Sequence, residues 1–311
     1  YDKNFSDVPF PDFKNENWRY INLKDLKNFL NLNQSTIDNH NILKNQNIES
    51  DIIINDEAVH VKKTLDSGVS IDVISPNQIN TLDLNIKKRI GNIAKIDDYF
   101  VSQNTKSFDK LILIGLDGEL DSNVIIDVNI SKDINFKNRF FIYSKNKSNN
   151  SVQINFHNSY SFVNSLFEFC IQDHSNIKLI CVNNSKESVD IINYWFEIHK
   201  NGSLNATFLS LGNEKILKND IRVDLVGKSA KADIGGLYIP RLNALIDYNL
   251  KINHLSKNTH SKQFFRGILG EYSRASFTGL VKIEEGCDGS KSEQVNNNLL
   301  KIILILTLVV F

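Results

Sequence analysis

From Lys110 onward, short apolar runs alternate with polar clusters, and each run has the length and the branched or aromatic content of a strand. The predicted strands are Leu111–Ile114, Val124–Val128, Phe140–Tyr143, Val152–Phe156, Leu166–Ile171, Ile177–Val182, Ile191–Ile198, Leu204–Leu211, Ile221–Val226, Ala244–Ile252, Phe264–Leu269 and Ala275–Ile283. The clusters between them, such as Ser144–Ser151 and Asn183–Ser188, carry the Asn, Ser, Asp, Lys and Gly of turns. Helix periodicity is nearly absent from this part of the chain.

The segment from Tyr1 to about Ser107 mixes signals. Ile52–Ile54 and Val69–Ile74 are rich in branched residues and predict strands. Ser75-Pro76-Asn77-Gln78 predicts a helix start, with Ser75 as cap, Pro76 in the first turn and Gln78 closing a capping box. Ile79, Leu82, Ile86, Ile90 and Ile93 then recur at three- and four-residue steps, which predicts one apolar helix face packed on a core. Further upstream, Trp18 and Tyr20 stand beside Asn22, a candidate helix cap, and are expected to anchor the N-terminal segment.

A long succession of strands fits a sandwich, a barrel or a β-helix. Runs such as Phe167-Glu168-Phe169-Cys170-Ile171-Gln172 alternate, which predicts one buried face and one polar face, as on a half-exposed sheet or the wall of a coil. There is no strict short repeat, so a β-helix would be irregular.

The 311 residues suffice for one large domain or two smaller ones. Lys plus Arg and Asp plus Glu both number 36, and zero formal charge argues against a general electrostatic grip on nucleic acid or acidic lipid. Three widely spaced cysteines, Cys170, Cys181 and Cys287, do not make a disulfide framework and favour a reducing, cytoplasmic setting. The first residues do not read as a signal peptide, and the absence of Met suggests a fragment.

Candidate chemistry is thin. Gly227-Lys228-Ser229 imitates the end of a P-loop, but Arg222 stands where the first glycine belongs, so no nucleotide loop is expected. Cys170 and Cys181 lie inside apolar runs and read as small buried hydrophobes, whereas Cys287 reads as a surface residue on a loop between acidic neighbours. His254 and His260 lie close together without a compelling third ligand, so hydrogen-bonded structural roles are expected. Asp224, Asp233 and Asp247 are the acids that a β-helix carbohydrate-active enzyme, of the polysaccharide lyase or hydrolase type, would have to gather in one cleft. No catalytic, cofactor-binding or metal-binding residue is assigned.

Two stretches resemble the SufB/SufD family of iron-sulfur cluster assembly proteins. Glu16-Asn17-Trp18-Arg19-Tyr20, with Leu23 and Leu26, is similar to the opening motif of SufD proteins. The longer stretch comprises Arg222, Gly227, Ala230, Gly236-Leu237-Tyr238, Asp247, His254, Ser261, Gln263, Arg266-Gly267-Ile268, Phe277, Gly279, Val281, Gln294 and Asn297-Asn298-Leu299-Leu300. In order and approximate spacing it is similar to the family core. The resemblance implies a mostly β chain: a small mixed α/β region over 1–107, then a right-handed parallel β-helix core over 108–300.

It also implies a role. A SufD-like chain is expected to be a non-enzymatic scaffold partner of a SufB-like subunit and a SufC-like ATPase, without nucleic acid or membrane. The cluster would be assembled on the complex, and this chain alone would bind no cofactor. The resemblance stops at Leu300: residues 301–311 are apolar, too few to span a bilayer, and stand where the family continues to its C-terminal helices. A frameshift or truncation is expected there, and with it impaired assembly and loss of SufC binding.

Overall fold

The computed structural model describes residues 8–12, 14–34, 39–43, 49–108, 110–120, 122–131, 133–270 and 272–300. The predicted tail at 301–311 lies outside them. The early strands are β1 (Asn33–Gln34), β2 (Asn39–Leu43), β3 (Ile52–Asn55), β4 (Ala58–Lys62) and β5 (Val69–Ile74). Helices α1 (Leu23–Leu30), α2 (Leu84–Arg89) and α3 (Tyr99–Ser107) belong to the same region. There follow β6 (Leu111–Leu116), β7 (Val124–Asn129), β8 (Ile134–Ser144), β9 (Asn149–Phe156), β10 (Phe162–Ile171), β11 (Asn176–Asn183) and β12 (Val189–Ile198). The last are β13 (Ser203–Ser210), β14 (Ile216–Leu225), β15 (Lys231–Tyr238), β16 (Leu245–His254), β17 (His260–Leu269), β18 (Arg274–Ile283) and β19 (Lys291–Leu300).

Even-numbered strands from β6 to β18 form one parallel sheet and odd-numbered strands from β7 to β19 form the other. Successive strands therefore alternate between two walls, which makes a β-solenoid of about seven turns from residue 111. Phe162 pairs with Val189 and Val189 with Ile216, a step of 27 residues per turn. The step lengthens to 29 from Leu217 to Ile246 and to 31 from His260 to Lys291. This drift is the irregularity expected from the missing short repeat. The first wall continues through β5, antiparallel to β6, and the second through β3, β4 and β2.

Parallel, in-register pairing sets corresponding residues of adjacent turns one strand spacing apart, so like side chains stack. Between the walls, Phe140 stacks on Phe167 at 4.4 Å, Phe167 on Tyr194 at 5.2 Å, and Phe169 on Phe196 at 4.7 Å. Phe156 and Phe208 close on this column edge-on from the opposite wall. A chain that cannot bury one turn alone thereby acquires a continuous core.

From β6 to β14 the outer face of the even-numbered wall is also largely buried. Ile74, Ile79, Ile90, Ile93, Val101 and Phe108 pack onto Phe141, Leu166 and Trp195. Trp18, Leu26 and Phe100 extend the cover over Phe162, Val189 and Ile216. Every residue of β10 is buried, which corrects the expectation that its polar face meets solvent. The alternation is real, but Phe167, Phe169 and Ile171 face the core while Leu166, Glu168 and Cys170 face the N-terminal cover.

Trp18 anchors this cover as expected. Its ring is 1% exposed, Nε1 donates to Asp98 at 2.8 Å, and Lys218 Nζ lies 4.9 Å from the ring centre. Asn22 caps α1, its side chain accepting from the Lys24 and Asp25 amides. The single helix expected after Ser75 is instead a 3₁₀ turn, Pro76–Thr81, and then α2. Gln78 Oε1 does accept the Ser75 amide at 2.9 Å. Leu82, however, is extended, and Asp83 accepts from the Asn85 amide at 2.8 Å to start α2 anew. A side-chain acceptor that caps a new start outcompetes continuation.

All twelve predicted strands after Lys110 are present, and β15 and β19 are additional. Gly235 and Gly236 weaken the strand signal of β15, yet Gly236 leaves the space that the Phe265 ring fills. Polar β19 is extended by its register with β17.

Candidate functional site

Opposite residues in the register of β10 and β12 set Cys170 beside Glu197. Side chains two apart share a face of extended chain, so His199, immediately after β12, projects on the side of Glu197. Arg89, the last residue of α2, reaches the same point from the N-terminal cover. Its Nη1 lies 2.7 Å from Cys170 Sγ, 3.0 Å from Glu197 Oε1 and 3.0 Å from His199 Nε2. Glu197 Oε1 and His199 Nε2 are 2.8 Å apart, and Sγ is 3.8 Å from Nε2. Gln172 Nε2 donates to the sulfur at 3.0 Å.

The electrostatics follow from these contacts. Hydrogen bonding to Cys170, then to Glu197, pushes the His199 imidazole up to about 9, so the ring carries a proton at neutral pH. The His199 hydrogen bond in turn holds the Glu197 carboxyl below its ordinary range. A ring protonated at Nε2 donates to Glu197, and Arg89 then donates to the carboxylate and the sulfur. One carboxylate and one thiol thus face two cations.

Cys170 is buried, while the Arg89 and Glu197 side chains are about one-third exposed, at 33% and 29%. Arg89 and Gln172 also line a surface depression of about 590 Å³ with Asn85, Tyr143, Lys145 and Asp117. Sγ, Oε1 and Nε2 lie within 4.8 Å of one another, and among the described residues no other group of three ligand-bearing side chains converges in this way. The sequence reading missed Glu197 and His199, and it set Cys170 aside as a small hydrophobe. The available signal was the 27-residue step, which carries Cys170 onto Glu197.

The other candidates are placed elsewhere. Cys181 lies in the core as expected, its thiol pushed up to about 12 by burial. Cys287 corrects the surface reading: it is 8% exposed and its Sγ donates to the His254 carbonyl at 3.3 Å, because the turn closed on Glu284 folds the thiol inward. The acidic neighbours Glu285 and Asp288 stay exposed. His254 is buried between Thr259 Oγ1 at 2.7 Å and Ser261 Oγ at 3.0 Å, the structural role expected of it.

The three aspartates do not share a cleft. Asp224 and Asp247 sit on the even-numbered wall and Asp233 on the other. Asp247 is buried against Lys218 Nζ at 2.8 Å, and Asp224 accepts from Asn253. Gly227 lies in a tight turn, where a side chain would collide with the backbone of His199 and Lys200.

Several residues that carry the family resemblance are tied into the packing of the last turns. Arg222 pairs with Asp220 at 2.6 Å, Tyr238 donates to Asn298 at 2.6 Å, and a Cβ at Gly267 would meet the Tyr238 ring. They are the framework of the last turns.

These features define a parallel β-solenoid with one wall covered by its own N-terminal segment. The family model described as SUF system FeS cluster assembly, SufBD core domain, matches residues 128–301, and the chain belongs to that family. Comparison with curated proteins finds no match. Among the described residues, no helix is long and apolar enough to cross a membrane.

Proposed function

We propose that this chain is a SufD-like, non-enzymatic scaffold subunit of a cytoplasmic SUF assembly, working beside a SufB-like subunit and a SufC-like ATPase. The family match over 128–301, on the solenoid itself, is the observation that carries the reading. Two further features support it. Trp18 of the SufD-like opening motif is the anchor of the cover over the even-numbered wall. The acids that a carbohydrate-active solenoid would need are dispersed over two walls, and two of them, Asp224 and Asp247, are tied into structural pairs. The iron-sulfur cluster is then the cargo of the assembled complex.

Co-expression of the chain with SufB-like and SufC-like partners, one of them tagged, tests this reading. Recovery of this chain with the SufB-like subunit is expected, with the SufC-like ATPase reduced or absent. Recovery of a SufB-like and SufC-like complex that excludes it would overturn the assignment.

A further inference from the structure

We propose that Cys170 Sγ, Glu197 Oε1 and His199 Nε2 form a site for one borderline divalent cation, Zn²⁺ or Fe²⁺, which displaces the protons of the thiol and the imidazole and enters as the Arg89 guanidinium swings out. The inference rests on the geometry of the even-numbered wall and is independent of the scaffold reading.

The ligand atoms come from adjacent turns of a rigid wall. Ligands about 2.0–2.3 Å from a tetrahedral ion lie roughly 3.5 Å apart. The observed separations are 2.8 Å for Glu197 to His199 and 3.8 Å for Cys170 to His199, and all three atoms lie within 4.8 Å. Side-chain rotation alone closes such differences. Gln172 stands 3.0 Å from the sulfur, and turning its amide would present an oxygen as a fourth ligand. A thiolate, an imidazole and one carboxylate suit zinc or ferrous iron, whereas calcium and magnesium need shells built almost wholly of oxygen.

The centre of the group already attracts positive charge, since Arg89 Nη1 sits within 3.0 Å of all three atoms. Arg89 ends a six-residue helix at the rim of the depression, and its side chain is 33% exposed. The depression offers the guanidinium a place to go, and two of its lining residues, Arg89 and Gln172, contact the Cys170 sulfur. The competing account is a fixed ion-pair network that ties α2 to the wall.

Cobalt(II) titration of the tag-free full chain separates the two accounts, because a cobalt–thiolate bond produces a near-ultraviolet charge-transfer absorption. Wild type is expected to develop the band at one cobalt per chain and to lose it when zinc is added. Cys170→Ser should abolish the band, and His199→Gln should weaken binding about tenfold or more. Arg89→Ala should tighten it, and Cys287→Ser should leave it unchanged. Circular dichroism and melting confirm that each variant is folded; if Cys170→Ser is not, partly exposed His199 decides by the same criterion. A band that survives Cys170→Ser or is indifferent to His199→Gln overturns the site, as does its absence from both wild type and Arg89→Ala.

Discussion

Buried charge in this protein is placed where backbone donors or a partner charge meet it. Arg139 and Glu168 have no solvent exposure and are joined at 2.7 Å, and Glu168 also accepts the Gly91 and Ala94 amides. The pair therefore holds the N-terminal cover to the wall, and removing one partner would strand the other charge. Asp190 and Glu214 are different. Burial is the main cause that pushes Asp190 up to about 6 and Glu214 up to about 8, and Glu214 Oε2 has no hydrogen-bond partner among the described residues. Both acids stay protonated in the folded chain at a pH where the unfolded chain has ionised them. Their contribution to stability is complete below about pH 4 and is lost as pH rises through about 6 and then 8. Glu214→Gln should flatten the fall in denaturant midpoint between pH 5 and pH 9. Parallel wild-type and variant profiles would remove Glu214 as the cause.

At the scale of elements, the N-terminal region is a cover whose apolar side chains match the wall beneath it. Trp18→Ala removes a fully buried ring, its hydrogen bond to Asp98 and the cation contact with Lys218, at a cost of about 3–5 kcal/mol. Amide exchange should rise through α1 and around Asp98, while β11 and β13 on the opposite wall remain protected. Uniform loss of protection would show that cover and solenoid fold as one unit. Individual strands were legible before the structure because Val, Ile and Phe recur at strand length. α3 was not, since Phe100 and Val101 are buried on it but Ser102, Asn104 and Thr105 are buried as well. A helix buried on its polar side gives no amphipathic signal.

Across the whole molecule, each turn touches chiefly its two neighbours, so stability accumulates along the stack and is least at an end that lacks one. β18 and β19 complete the two walls within the described residues, and Leu280, Ile283, Val295 and Leu299 are all more than 40% exposed there. Native-state hydrogen exchange should show the strongest protection at β10, β12 and β14 and the weakest at β18 and β19. Equal protection in both groups would mean that further chain or a partner completes the final turn.

The periodicity of single runs determined the strands, their alternating faces and the all-β character after Lys110, because those are local properties of two-residue pleat and turn chemistry. The order of motifs from Arg222 to Leu300 determined the family resemblance. Which polar residues are buried was settled only in three dimensions. Glu168, Cys170 and Glu197 read as ordinary wall positions until the cover closes over β10 and the 27-residue step brings β12 alongside. The Cys170, Glu197 and His199 group belongs to neither run alone. It arises from stacking, which sequence distance hides and parallel register reveals.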